Sequence, residues 1–136
     1  MKKNIGKNHR SERGGAGMKL VLVLLGLFIV GHGLINYIPV AYNGASFQEE
    51  MQTAVVQGTA LPTGSNPLAT VKARIKRVAT ASDIPPDAFM EVKQAGNVIQ
   101  ARVVYSKQVD ILPFGLYTYQ YHFDHTATPT GFLAKQ

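Results

Sequence analysis

The chain has 136 residues, a formal net charge of +6 and no cysteine. This length is enough for one small domain beside a membrane segment. The lack of cysteine excludes disulfides and thiolate metal ligands, so a folded domain must rely on its own apolar core. Six basic residues and one acidic residue lie in residues 1–19, whereas residues 20–136 hold eight basic and seven acidic residues. The positive charge is therefore concentrated at the N-terminus.

Residues 18–40 have the length and apolarity of a transmembrane helix. Residues 20–30 carry no polar side chain, and a helix of about 21 residues is roughly 31 Å long, close to the ~30 Å hydrocarbon thickness of a bilayer. Pro39 is expected to end this helix, with Tyr37 and Tyr42 at the membrane interface.

A basic start followed by an apolar core is also typical of a cleaved signal peptide. Cleavage near Gly31 or Gly33 would leave an apolar new N-terminus, so we expect the segment to be retained. The positive-inside rule then places the N-terminus in the cytoplasm and residues 41–136 outside the inner membrane, in the periplasm or extracellular space.

Residues 1–17 are polar and rich in glycine, and they are predicted to form a disordered cytoplasmic tail. The tail has no aromatic residue to stack on bases, which disfavours nucleic acid as a partner. Its charge is sufficiently explained by the adjacent membrane segment. The lipid bilayer is therefore the expected partner of this region.

Two polar residues lie in the outer third of the predicted span. His32 and Asn36 are four residues apart and therefore share a helix face. They are candidates for contact with a partner helix in the membrane. Water and lipid headgroups are the alternative partners at this depth, and no GxxxG spacing supports close packing of two helices.

Residues 41–136 are predicted to begin with two amphipathic helices. Ser46 and Glu49 have the spacing of a capping box, so a helix should begin there and end at a left-handed Gly58. Asn66 should cap a second helix with Pro67 at its first position. The expected buried stripes are Phe47, Met51, Ala54 and Val55 in the first helix, and Leu68, Val71, Ile75 and Val78 in the second.

The remaining residues alternate with the period of β-strands. A short strand from Phe89, a turn at Gly96, one long strand from Ile99 and a third strand after Pro113 form a predicted meander. The sequence thus predicts an α+β fold, with the transmembrane helix followed by two helices packed on three antiparallel strands. The inward positions should be Ile99, Ala101, Val103, Tyr105, Val109 and Ile111, followed by Tyr117, Tyr119, Tyr121 and Phe123. The aromatic row of the third strand is alternatively an exposed ligand platform.

The sheet face turned away from the helices is the candidate contact surface. Arg102, Val104, Gln120 and His122 lie on it, with Val104 as an apolar point among polar side chains. An ordinary solvated antiparallel sheet has the same pattern. However, a membrane anchor raises the effective concentration of neighbouring envelope proteins, so even weak contacts can matter. Other envelope proteins are therefore the expected partners.

Few residues suggest catalysis. His122, Asp124 and His125 lie close in sequence, but a metal site needs three or four converging ligands. Ser106, Asp110 and His122 are the residue types of a catalytic triad without a nucleophile-elbow motif. We therefore expect neither an enzyme nor a bound metal or cofactor.

The order of the segments resembles a family of small single-span bacterial envelope proteins whose function is unknown. The resemblance covers residues 12–125, and it implies membrane anchoring and no catalytic residue. It rests on a pilin-like span opening near Gly17-Met18 and on Pro39, Tyr42, Lys72-Ala73-Arg74-Ile75, Asp83-Ile84, Tyr105, Pro113-Phe114 and Phe123-Asp124. A weaker similarity to type IV prepilins rests on Gly17-Met18 as a cleavage site, where the acidic residue five positions after the cut is here Leu22.

Two functions follow from these patterns. The first is a membrane-tethered, non-catalytic interaction or structural module of the bacterial envelope. The second is a pilin-like or pseudopilin-like subunit of a filament or secretion apparatus, whose mature chain would begin at Met18.

Overall fold

The structure, a computed structural model, describes residues 13–62 and 64–129. Most of the predicted basic tail, residues 1–12, lies outside the described residues. The elements in chain order are α1 (Arg13–Thr59), α2 (Pro67–Ala81), β1 (Phe89–Ala95), β2 (Val98–Asp110), a short 3₁₀ turn (Pro113–Gly115) and β3 (Thr118–Ala127). The strands form one antiparallel sheet in the order β1-β2-β3. The predicted α+β class and the three-stranded meander are confirmed.

The N-terminal part of the chain forms one helix where the sequence predicts two. α1 continues without interruption through Pro39 and through Ser46, so the predicted helix end and the predicted capping-box start are both wrong. A proline inside a helix removes one backbone hydrogen bond. Here α1 packs on β3 on both sides of the proline, through Tyr37 before it and Phe47 after it, and these tertiary contacts outweigh the local signals.

The core lies between the C-terminal half of α1, α2 and the inner face of the sheet. The odd-numbered positions of β2 from Ile99 to Val109 face this core, as predicted, and Lys107 is the exception in the row. The Lys107 ammonium donates to the carbonyl oxygen of Asp83 at 3.1 Å and forms an ion pair with its carboxylate. The largest fully buried side chains are Phe47, Met51, Val55, Val71, Ile75, Ile99 and Val103.

The two ends of the α1–α2 connection are built differently. Asn66 caps α2 as predicted, because its Oδ1 accepts a hydrogen bond from the backbone N–H of Ala69 at 3.1 Å. Gly58, however, is not a left-handed stop. It lies inside α1, where a Cβ atom would overlap Cγ2 of Val71, so glycine here permits the close approach of the two helices.

The aromatic row of β3 is buried only at its C-terminal end. Phe123 is 6% exposed and stacks on Tyr105 with ring centroids 4.8 Å apart. Tyr119 is 43% exposed, and Tyr117 is exposed as well, so the prediction of a core position is wrong for these two residues. α2 packs against α1 and β1, and the start of β3 meets Tyr37 of α1, with ring centroids of Tyr37 and Tyr119 6.0 Å apart. α1 by itself does not cover this end of the sheet.

Candidate functional site

The candidate contact surface lies on the outer face of the sheet. Arg102, Gln120 and His122 are exposed there, and Val104 is half-buried. Gln120 pairs with Gln108 of β2, and Gln108 lies six positions after Arg102 in this extended strand, a distance of about 20 Å. The predicted residues therefore share one face but form an elongated strip rather than a compact patch. We call this face the outer strip.

Phe89 adds an apolar side chain that the sequence analysis missed. It is exposed on β1 and pairs directly with Val104 in the β1–β2 register. Side chains of paired residues lie about 4.5–5.5 Å apart at Cβ, so the two form one apolar centre. The signal was available, since the alternation that turns Met90 and Val92 inward necessarily turns Phe89 outward.

The charges beside this apolar centre are paired. Arg102 donates from Nε and a terminal nitrogen to the two carboxylate oxygens of Asp124, at 3.0 and 2.7 Å. These hydrogen bonds hold the pKa of Asp124 below its usual value, and the carboxylate raises the pKa of Arg102. Glu91, which pairs with Arg102 in the strand register, forms an ion pair with Lys93 at 2.8 Å. Exposed pairs of this kind add little to stability, so their main effect is to orient Arg102.

The residue types of a triad are not brought together. Ser106 Oγ and His122 Nδ1 are 3.0 Å apart across the β2–β3 pair. Asp110 lies four residues further along β2, about 13 Å from Ser106, where it pairs with Thr118. The serine–histidine hydrogen bond therefore has no carboxylate from Asp110 to orient the imidazole.

The possible metal ligands diverge as well. The Asp124 carboxylate is occupied by Arg102, while His125 projects from the opposite face of β3, near Phe123. Burial lowers the pKa of His125, and the charge of Asp124 opposes this effect. Among residues 13–62 and 64–129, no group of three or more metal-ligating side chains converges.

His32 and Asn36 have partners within the domain. His32 donates from Nδ1 to the carbonyl oxygen of Ile111 at 3.2 Å, and Asn36 donates from Nδ2 to the carbonyl oxygen of Asp110 at 3.0 Å. Gly33 is buried between them, and a Cβ there would lie 3.2 Å from Cγ2 of Ile111. We call these five residues the junction. It fixes the end of β2 beside the part of α1 that the sequence assigns to the membrane.

By length and composition, α1 is a candidate membrane-spanning helix near the N-terminus. The fold and this helix define the class of protein, an α+β domain built on the extension of a long apolar helix. Comparison of the chain with protein-family models, with curated proteins and with solved structures gives no match. The resemblance to bacterial envelope proteins stays a prediction, and function is inferred from the surfaces described above.

Proposed function

We propose that the chain is a single-pass membrane protein of the bacterial cell envelope whose α+β domain is a non-catalytic interaction or structural module. The observation that carries the proposal is the exposed apolar surface of α1. Its residues 14–28 are exposed, although those after Lys19 are apolar, and the same helix continues without a linker into the domain core. Apolar surface of this extent needs a cover, and a bilayer provides one.

The charge distribution supports a cytoplasmic N-terminus. Residues 1–19 carry six basic residues and one acidic residue, and such segments stay on the cytoplasmic side of the inner membrane. A C-terminal alkaline phosphatase fusion should therefore be active, because this enzyme folds only outside the cytoplasm. Activity solely of a cytoplasmic reporter, or a mature chain that starts near Leu34, would contradict the proposal.

The outer strip supports the interaction role. It presents the apolar pair Phe89 and Val104 beside a charge pair held in fixed geometry, and α2 and α1 leave this face open. A tether that keeps the strip near the bilayer raises the effective concentration of neighbouring envelope proteins. We therefore assign the contact to the strip and to other envelope proteins as partners.

A pilin-like or pseudopilin-like subunit is the second candidate, and the continuity of α1 favours it. The exposed apolar segment of α1 extends beyond the domain within the same helix, so copies arranged with helical symmetry could bury these segments against one another. N-terminal sequencing of the mature protein separates the candidates. A chain that begins at Met18 supports the subunit, and a chain that begins at Met1 supports the anchored module.

A further inference from the structure

The uninterrupted apolar part of α1 is too short to cross a bilayer alone. Twelve residues, 20–31, lie between Lys19 and His32 without a polar side chain, which corresponds to about 18 Å of helix against ~30 Å of hydrocarbon. After Gly31, α1 enters the junction and is partly covered by the domain. A crossing of normal length must therefore include part of the domain.

The turn between β2 and β3, residues 111–117, is the part of the domain at this level. β2 runs antiparallel to α1, since Ile99 lies beside Gly58 and Ile111 lies beside Gly33. The chain after Ile111 therefore continues toward the N-terminal end of α1. The turn contains no charged residue, and it leaves Phe114 98% exposed and Leu116 76% exposed.

Phe114 is also in a conformation that its residue type rarely adopts. Its φ of 62° and ψ of 20° are left-handed, a region in which turns favour glycine or asparagine. An almost fully exposed phenyl ring makes little contribution to folding that would offset this conformation. A contact outside the chain explains the presence of phenylalanine.

Part of the backbone of the turn is hydrogen-bonded within the turn itself. The N–H groups of Ile111 and Leu112 both donate to the carbonyl oxygen of Tyr117, at 3.0 and 3.2 Å. The N–H of Leu116 donates to the carbonyl oxygen of Pro113 at 3.4 Å, and proline has no N–H to satisfy. In hydrocarbon, backbone groups need such internal partners because water is absent.

Two polar side chains of the predicted span are also hydrogen-bonded within the chain. His32 donates to the carbonyl oxygen of Ile111, the first residue of the turn, and Asn36 donates to that of Asp110, the residue before it. Polar side chains within a membrane helix are costly unless they are paired. Here each is paired with a backbone carbonyl of the chain.

We infer that the β2–β3 turn inserts into the outer leaflet of the bilayer that α1 crosses, with Phe114 and Leu116 among the acyl chains. The inference rests on the proposed membrane anchoring. Tyr117 and Tyr119 then lie at headgroup level, where tyrosine is enriched, and Asp110, the first charged residue before the turn, marks the aqueous boundary. A bilayer fits better than a second protein chain, because the apolar side chains of the turn continue the exposed apolar surface of α1.

Single-tryptophan variants test this placement, because the chain contains no tryptophan. The full chain is reconstituted in vesicles of phosphatidylcholine and phosphatidylglycerol that carry bromine atoms either near the headgroup or near the end of the acyl chain. Phe114→Trp should emit at short wavelength and be quenched most by the shallow bromines. Phe28→Trp, near the middle of the predicted span and exposed on α1, should be quenched most by the deep bromines. Gln100→Trp, on the exposed outer strip, should emit at long wavelength without quenching.

Different results would contradict the proposed insertion of the turn and the proposed membrane anchor. If Phe28→Trp is quenched but Phe114→Trp is not, the insertion is overturned and the anchor stands. Long-wavelength emission from Phe114→Trp would then place the turn in water, and short-wavelength emission would place it against another protein chain. If Phe28→Trp is not quenched, both are overturned. Leu116→Trp is a second reporter of the turn, and circular dichroism shows that each variant is folded.

Discussion

Val103 lies at the centre of β2 with no exposed surface, and aspartate there would be an unpaired charge in an apolar interior. Such a charge costs several kcal/mol against a total stability of roughly 5–15 kcal/mol. Val103→Asp should therefore abolish the cooperative unfolding transition, as measured by circular dichroism in urea with the protein in detergent.

The matched control for Val103→Asp is Gln120→Asp, which introduces the same charge on the exposed outer face. Its unfolding midpoint should stay close to that of the wild type. Tyr119→Asp should have an intermediate effect, since this side chain is 43% exposed but lies near Tyr37. Equal loss in all three variants would show that the assignment of the two sheet faces is wrong.

Replacing Gly58 with alanine tests how closely α1 and α2 pack, because it adds a single carbon atom between them. A methyl group at this position meets Val71, whose branched side chain is buried and has few alternative rotamers. Gly58→Ala should therefore destabilise the domain by about 1–3 kcal/mol in urea unfolding. The double variant Gly58→Ala with Val71→Ala should lose less than the sum of the single losses, because the overlap is relieved.

Gly26→Ala is the control for Gly58→Ala, since a Cβ there meets no atom within 4 Å. Replacing a helix-interior glycine that has no close neighbours with alanine raises the free energy of unfolding by up to about 1 kcal/mol. A gain of that size at Gly58 would mean that α1 and α2 are further apart than described.

At the scale of elements, Pro39 is the residue at which the local sequence signal and the tertiary contacts disagree about where α1 ends. Replacing it with alanine adds an N–H that can donate to the carbonyl of Ile35 within α1. Pro39→Ala should therefore raise the free energy of unfolding by about 1–3 kcal/mol. Pro86→Ala, in an exposed loop, should give a small loss of about 0.4–1 kcal/mol, because it increases the freedom of the unfolded chain.

Hydrogen exchange gives an independent measurement of the same feature. In a continuous α1 the amide groups of Gly44 and Phe47 are bonded within the helix and should exchange slowly in the wild-type protein. Fast exchange at these positions would restore the helix start at Ser46 that its capping-box spacing predicts.

The sequence predicted elements well where one local signal met no competing contact. The cap at Asn66 is correct because α2 begins in a connection where its side chain simply satisfies a free N–H. The alternation of β2 is correct because one face is buried along most of its length. The predictions at Pro39 and Ser46 were wrong because both residues lie in α1, which is stabilised by its packing against β3.

The candidate site was predictable to the same degree. The side of the sheet that carries Arg102, Val104, Gln120 and His122 follows from periodicity alone, and Phe89 follows by the same rule. The partners of His32 and Asn36 do not, since their bonds to Ile111 and Asp110 span 79 and 74 residues. Such contacts depend on how α1 and β2 are aligned, which no local pattern encodes.

At the scale of the whole molecule, the outer strip should determine which envelope proteins lie beside the domain. The double variant Arg102→Glu with Val104→Lys reverses one charge of the strip and places another at its apolar centre. Crosslinking in native membranes should then lose the adducts that the wild-type protein forms.

The control for the strip makes the same chemical changes elsewhere. Lys72→Glu with Ala73→Lys alters exposed positions of α2 and should leave the adducts unchanged, and circular dichroism should show that both variants are folded. If the strip variant keeps all its adducts, the contact does not involve this face. Loss of function on changing His122 and His125 alone would favour a metal protein or an enzyme instead.

The unbroken helix fixes the height of the domain above the membrane in a protein anchored as proposed. Gly33 lies at the junction, and Gly58 lies beside Ile99 near the far end of the sheet. Gly58 is 25 positions after Gly33 in α1, which corresponds to a rise of about 38 Å along the helix. No flexible linker lies between the two levels, so the domain neither tilts freely nor moves closer to the lipid. A partner of the far end must reach about 38 Å above the level of the junction, whereas a partner with a shorter reach is restricted to the part of the outer strip near Gln108 and Gln120.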